Sequence, residues 1–353
     1  LESQVDLTPV TGKVVLITGA AGSIGSELSR QVLYRAPPKL LLLDNNESDL
    51  YDLGEALKLT RDASHIELIL CDISDAANIR QVFENYTPQV IFHTAAYKHV
   101  PLLENHPHQA IRVNIGGTSL VIQCAFETQA ETFVLVSSDK AVNCSNVMGA
   151  TKFLCEQIVR AFAANDSNQT MRTTIVRFGN VLGSRGSVVP LFERQIDAGG
   201  PLTVTHEQMT RYFMSIQEAV HLVIQAACLT NGHGLFVLEM GEQVRIVELA
   251  ERMIRLRGLR PHKDIKIIFT GKRPGETLHE ELLIPGEIRH PTSHPYIFSI
   301  NTPAAPPPSF MDEIKALLDS TPQRDVPGLR QNILDMADSL RRKNSAGAKS
   351  SSA

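Results

Sequence analysis

The stretch KVVLITGAAGSIG, residues 13–25, sets the narrowest limit on what this chain can fold into. An apolar run without polar alternation reads as a strand buried on both faces. Gly19, Gly22 and Gly25 follow it at a spacing of three, and a helical pattern, SELSRQVLY, comes next. Glycines there let the backbone turn tightly and leave the N–H groups of a helix start open to an approaching phosphate. The alternation continues down the chain. KLLLLD, IELIL, QVIFHTAA, TFVLVSSD and RTTIVRFGNV read as five more strands. IRQVFENY, HQAIRVNIGGTSLVIQCAFE and GATKFLCEQIVRAFAA carry apolar residues at helical spacing among them. Such an order implies right-handed βαβ units and a parallel sheet covered on both faces.

The expected fold class is therefore α/β, a Rossmann-type parallel sheet with helices on both faces plus a smaller C-terminal substrate-binding part. Residues 1–180 read as an NAD-binding domain and 181–300 as mainly substrate-binding. The Pro-rich NTPAAPPPS introduces a C-terminal helical extension over 301–342, and KNSAGAKSSSA, 343–353, is expected to be a disordered tail. Asp44 ends the second strand about 20 residues beyond the glycines, where a carboxylate would hold the adenosine ribose hydroxyls. No arginine follows it, which favours NAD over NADP. Asp72, at the end of the third strand, is placed to meet the adenine amino group. Ser23, Ile24, Ile73, Ala95 and Ala96 complete the expected cofactor side.

Composition narrows the function. Hydrophobic residues make up 43% and charged residues 20%, as in a folded globular protein, and the net charge is −4. No long basic run is present, which argues against nucleic acid as a partner. The five cysteines are scattered without a CxxC pair, so a reduced compartment is expected. His93, His99, His106 and His108 lack a paired ligand spacing, and no metal site is expected. No apolar run reaches the ~18 residues of a membrane span.

TGAAGSIG, CDISD, HTAAYKHVP and VNIGGT, with a Ser-rich strand end and a helix-opening lysine, resemble the extended short-chain dehydrogenase/reductase superfamily over roughly residues 12–300. SSDKAVNCSNVMGATK, RFGNVLGSRGSVVPLF, MTRYFMS and GKRPGETLHEEL are similar to the UDP-N-acetylglucosamine 4,6-dehydratases of bacterial polysaccharide biosynthesis. Ser138, Met148 and Lys152 resemble the Met-bearing, membrane-anchored branch, where methionine replaces the usual tyrosine. That resemblance implies a cytoplasmic catalytic domain whose parent protein sits in the inner membrane through an N-terminal region absent here. A chain beginning at Leu1 fits that expectation. A homo-oligomer is also expected.

The resemblance implies the chemistry. Hydride leaves carbon 4 of the sugar, water is lost across carbons 5 and 6, and hydride returns to carbon 6. The cofactor stays bound throughout. Asp139 is implied as the acid at carbon 6 and Lys140 as the base at carbon 5, its pKa lowered by burial beside Lys152. Adjacent strand residues point to opposite faces, so both reach one substrate only where the chain leaves extended geometry. Ser138 would bond the 4-oxygen, Lys152 the nicotinamide ribose, and Asn114 would brace the lysine region. Met148 cannot take the 4-hydroxyl proton. Two routes stay open: Asp139 accepts it, or a water held by Ser138 and Lys152 relays it.

On the substrate side the resemblance places Lys98 at the sugar and Asn180 at the diphosphate or sugar. Arg185 and Arg273 would bind phosphate oxygens, Glu276 the uridine ribose, and Val188, Arg211 and Arg245 complete the set. The expected activity is conversion of UDP-N-acetylglucosamine to a 4-keto-6-deoxy product. Its rivals are a UDP-hexose 4-epimerase, which normally keeps its tyrosine, and a non-catalytic nucleotide-sensing protein.

Overall fold

The computed structural model describes residues 10–60, 64–164, 171–301 and 305–350. Its main sheet has nine strands. In chain order they are β1 (Val14–Thr18), β2 (Lys39–Asp44), β3 (Ile66–Leu70), β4 (Val90–His93), β5 (Thr132–Val136), β6 (Arg172–Arg177), β7 (His233–Leu238), β8 (Ile288–Pro291) and β9 (Ile297–Asn301). The spatial order is β8-β9-β7-β6-β5-β4-β1-β2-β3. All pairings from β3 through β7 are parallel, while β9 runs antiparallel to β7 and to β8. Strand order reverses between β1 and β4, and that switch point opens a crevice at the carboxyl ends of the strands.

The strands are apolar throughout because both faces are covered. Leu16 of β1 joins the core on one face, and its neighbours Val15 and Ile17 join the core on the other. Helices α1 (Ser23–Leu33), α2 (Glu47–Lys58) and, later in the chain, Ile216–Leu229 pack on the second face. The first face takes α3 (Ala76–Tyr86), α4 (Thr118–Glu127) and α5 (Val147–Ala163). A third, smaller core joins helices Val188–Asp197 and Ile246–Leu256 to the paired strands Leu202–Val204 and Ile267–Phe269.

Three features depart from the sequence reading. The main sheet draws β7, β8 and β9 from beyond residue 180, because strand pairing is non-local and ignores chain position. The long helix read over HQAIRVNIGGTSLVIQCAFE contains a π-helical segment, Ala110–Gly117, before α4. The last helix runs Val326–Ser350, past residue 343 where a disordered tail is expected; residues 351–353 lie outside the described residues. Its packed turns, with Leu329, Ile333, Ala337 and Leu340 in the core, supply the nucleus from which a helix propagates. Among the described residues no helix is long and apolar enough to cross a membrane.

One buried ion cluster joins these parts. Arg177, at the end of β6, is 1% exposed. Its guanidinium donates to both Glu156 carboxylate oxygens, at 2.8 and 2.7 Å, and to Glu287 at 2.7 Å. Glu156 lies on α5 and also accepts the Ser137 hydroxyl at 2.6 Å. Arg177→Met leaves two buried carboxylates without their cation, and urea unfolding should show a loss of about 3–5 kcal/mol. Adding Glu156→Gln should cost less than the sum of the two single changes, because the two residues share one interaction.

Candidate active site

The glycine turn is shaped by close backbone contacts. A Cβ on Gly25 would lie 2.0 Å from the Gly19 carbonyl oxygen, and one on Gly19 would lie 2.7 Å from the Ala95 backbone. Gly19 also has φ +68°, the left-handed region that favours glycine. Asp44 stands beside this turn. One carboxylate oxygen accepts the Ala21 N–H at 2.9 Å, and the other accepts that of Asn46 at 3.0 Å. A cleft of about 780 Å³ runs from here across the carboxyl ends of the strands. Gly19, Gly22, Ser23, Ile24, Gly25, Asp44, Ile73, Ala95, Ala96 and Lys152 line it.

Asp72 does not line it. Its carboxylate takes the Ser74 N–H at 2.9 Å and hydroxyl at 2.7 Å and pairs with Arg112 at 3.2 Å. Ser74, in its own turn, engages Oδ1, and Arg112, 40 residues along the chain, engages Oδ2, which leaves acceptor capacity on the Oδ2 side. Asn114 is also set back from the cleft. It accepts the Tyr97 N–H at 2.8 Å and donates to the Tyr97 carbonyl and the Thr151 hydroxyl, both at 3.0 Å. The π-helical turn thus ties the loop after β4 to α5, one residue from Lys152.

At the end of β5 the chain leaves extended geometry. Ser138 caps a 3₁₀ turn over Asp139–Ala141, so neighbouring side chains reach the same place. The Ser138 hydroxyl and the Lys140 ammonium both donate to Asp139 Oδ1, at 2.8 and 2.9 Å. Lys140 also donates to Asn180 Oδ1 at 3.2 Å. Asp139 is fully buried, and among the described residues its Oδ2 has no hydrogen-bond partner. Met148 and Lys152, on α5, complete this wall of the cleft. Lys152 donates to the Val136 carbonyl at 2.7 Å. Burial holds its pKa below the ordinary lysine value.

Lys140 does not follow the expectation of a lowered pKa. Burial pushes it down, but Asp139 and the buried Glu280, 3.6 Å away, outweigh that and hold it above the ordinary value. The resting lysine is charged because its neighbours are carboxylates rather than Lys152.

The substrate-side residues separate into two groups. Lys98, Asn180 and Arg185 line the cleft. Burial first, then the nearby cations Arg185 and Lys140, lower the Lys98 pKa. The Arg185 guanidinium donates to Asp49 and to the Ala21 carbonyl, on the glycine-loop side of the cleft. Arg211, Val188, Arg245, Arg273 and Glu276 are not among the lining residues. Arg211 is consumed by the carbonyls of Thr210, Leu278 and Thr277 and stands 3.4 Å from Glu280. Val188 packs against the small core. Arg245 is exposed and pairs with Glu248, and the backbone N–H of the exposed Arg273 donates to the Glu276 carboxylate at 3.1 Å. Sequence reasoning missed Glu280 and Asp49: a lone carboxylate far along the chain gives no signal until folding brings it to a cation.

This sheet, with a glycine turn at its switch point and an acid–base cluster at the end of β5, defines a Rossmann-type protein built for small-molecule chemistry. Solved structures agree on the fold. The chain is 32% identical to Pen from Bacillus thuringiensis, with a TM-score of 0.76 over 84% of this chain and 89% of that one. A dTDP-glucose 4,6-dehydratase, DesIV from Streptomyces venezuelae, with NAD bound, shares the fold at a TM-score of 0.66 and 20% identity, over 76% and 87%. The chain belongs to the family described as "Polysaccharide biosynthesis protein", whose model matches residues 15–302. It is 50% identical to the capsular polysaccharide biosynthesis protein CapD of Staphylococcus aureus, over 80% of this chain and 47% of that protein. It thus spans about half of that relative's length. A UDP-N-acetylglucosamine 4,6-dehydratase (inverting) of Campylobacter jejuni is 31% identical over 85% of each chain. A UDP-glucose 4-epimerase of Rickettsia massiliae is 32% identical over 78% of this chain and 79% of that one.

Behind the site, His93 is wedged between the hydroxyls of Thr18 and Thr118, at 2.8 and 2.9 Å. Burial, and secondarily Lys152, pushes its pKa down to about 3 from 6.5. The folded protein therefore refuses a proton that the unfolded chain accepts below pH 6.5. Stability should be unaffected above that pH and fall progressively as pH drops from 6.5 toward 3. Unfolding free energies measured across this window should show a shallower slope for His93→Gln than for the wild type.

Proposed function

We propose that this chain is the catalytic part of an NAD-dependent UDP-N-acetylglucosamine 4,6-dehydratase. The observation that carries this reading is the gathering of Ser138, Asp139 and Lys140 around one carboxylate oxygen beside Met148 and Lys152. A simple alcohol oxidation needs one base; loss of water needs an acid and a base together. A cluster holding both, at a position where tyrosine is replaced by methionine, suits dehydration better than epimerisation. The similarity to the Campylobacter jejuni dehydratase supports the substrate.

The residues fit a dinucleotide. Gly19 and Gly25 permit the close backbone contacts that shape a tight turn at a helix N-terminus, where a pyrophosphate would sit, and Asp44 offers a carboxylate at the ribose position. When bound, NAD accepts hydride from carbon 4 and returns it to carbon 6. Everything else falls to this chain. Lys152 holds the nicotinamide ribose and Ser138 the 4-oxygen. Asp139 takes the 4-hydroxyl proton, the task Met148 cannot perform. Protonation of Asp139 removes one of the two carboxylates that hold Lys140 charged, so Lys140 can then release its proton to the water of the cleft it lines. It takes the carbon 5 proton, acidified by the adjacent ketone, while Asp139 returns its own to the departing 6-hydroxyl; as hydride is restored at carbon 6, the Lys140 ammonium delivers a solvent-exchanged proton back to carbon 5.

Proton NMR of the chain with UDP-N-acetylglucosamine and NAD⁺ in heavy water should reveal a new sugar methyl signal with deuterium at carbon 5. Asp139→Asn and Lys140→Ala should each reduce the rate by about 10²-fold or more. Inversion at carbon 4 without a methyl signal would instead make the chain an epimerase. Bound substrate without turnover would leave a nucleotide-binding protein.

A further inference from the structure

Arg185 lies in the segment Gly183–Ser187, which follows the short strand Asn180–Val181 and leads into helix Val188–Asp197. Gly183 and Gly186 have φ of +73° and +69°, so left-handed turns flank the arginine on both sides. A Cβ on Gly186 would stand 2.4 Å from the His99 ring, so the second turn rests directly on that side chain. From this seat the segment crosses to the opposite wall of the cleft. The Arg185 N–H donates to the Ser23 hydroxyl at 3.1 Å. Its guanidinium donates to the Ala21 carbonyl and to the Asp49 carboxylate. Ala21 and Ser23 belong to the glycine turn, and Asp49 lies in the first turn of α2, just beyond Asp44. Three contacts from one residue therefore join the substrate-side segment to the turn and helix that flank the expected pyrophosphate and adenosine ribose.

We propose that Gly183–Ser187 is part of the dinucleotide site, a strap across its mouth, and that Asp49 is the positioning residue that holds Arg185 in place. This rests on the reading of the cleft as an NAD site. It gives Arg185 a role on the cofactor rather than on the sugar diphosphate. It also supplies a structural means of keeping the cofactor bound through a cycle in which hydride must be stored and returned. The Arg185 side chain is 58% exposed and that of Asp49 33%, so the ion pair is weak and salt-sensitive. The strap therefore slows escape of the dinucleotide without sealing it in.

The test is the rate of NAD release, read without turnover. Protein loaded with radiolabelled NAD is chased with unlabelled NAD, and the label retained is followed with time. Asp49→Ala should speed release by about fivefold, the scale of one exposed ion pair. Arg185→Ala should do at least as much. The double variant should release no faster than Arg185→Ala alone, because the two residues share one contact. Added salt should accelerate release from the wild type more than from Asp49→Ala. If Asp49→Ala releases NAD as the wild type does while Arg185→Ala is faster, the arginine grips phosphate directly and the strap is overturned. Wild-type rates in both variants overturn it as well. A wild type that binds no NAD at all removes the cofactor reading itself, a result distinct from either of these. Thermal unfolding of each unloaded variant separates a released strap from a damaged fold.

Discussion

The buried pair of Arg177 with Glu156 is the interaction on which the site depends. An arginine at the end of β6 is 1% exposed, and a bidentate carboxylate from α5 meets it. Two charges taken out of water are costly, and only good geometry with further hydrogen bonds offsets that cost. Here Glu287 and the Ser137 hydroxyl supply those bonds. The cluster fixes α5 against the sheet at one depth and rotation. Lys152 and Met148 lie one and two turns before Glu156 on the same helix. Ser137 immediately precedes the Ser138–Asp139–Lys140 turn. One electrostatic contact thus sets the distance between the helix that carries the lysine and the strand end that carries the acid–base cluster.

Around this clamp the site is organised by charge. Lys140 is ringed by Asp139, Asn180 and Glu280 and stays protonated at rest. Among the described residues Lys152 meets no carboxylate hydrogen bond; it donates to a backbone carbonyl and is pulled below its ordinary pKa by burial. Two lysines of the same type, facing one cleft, are therefore driven in opposite directions by their surroundings. Asp139, buried with one oxygen doubly engaged and the other unpartnered, sits at the junction of both.

The strands were legible because a sheet covered on both faces demands unbroken apolar runs, and six of them stand where the sequence puts them. The glycine turn was legible because backbone approach excludes any side chain at Gly19 and Gly25. The edge strand β8 and its neighbour β9 were not: EIRHP and YIFSIN lie between loop-forming prolines, and the pairing of β9 with β7, which carries β8 into the sheet, is a long-range event. Arginines were the hardest to place. Arg211 and Arg245 look alike in sequence, yet carbonyls claim the first and a neighbouring carboxylate the second. A guanidinium reaches far, and only its acceptors decide its direction.

The sequence by itself determined the layered α/β fold and the glycine turn with Asp44 beyond it. These are local matters, set by hydrophobic period, glycine spacing and residue type. Only the tertiary structure decided which charges are paired. It brought Glu280 to Lys140, paired Asp72 with Arg112, and carried Arg185 across to Asp49. Protonation and side-chain direction depend on neighbours that are distant in the chain, and that information exists only once the chain is folded.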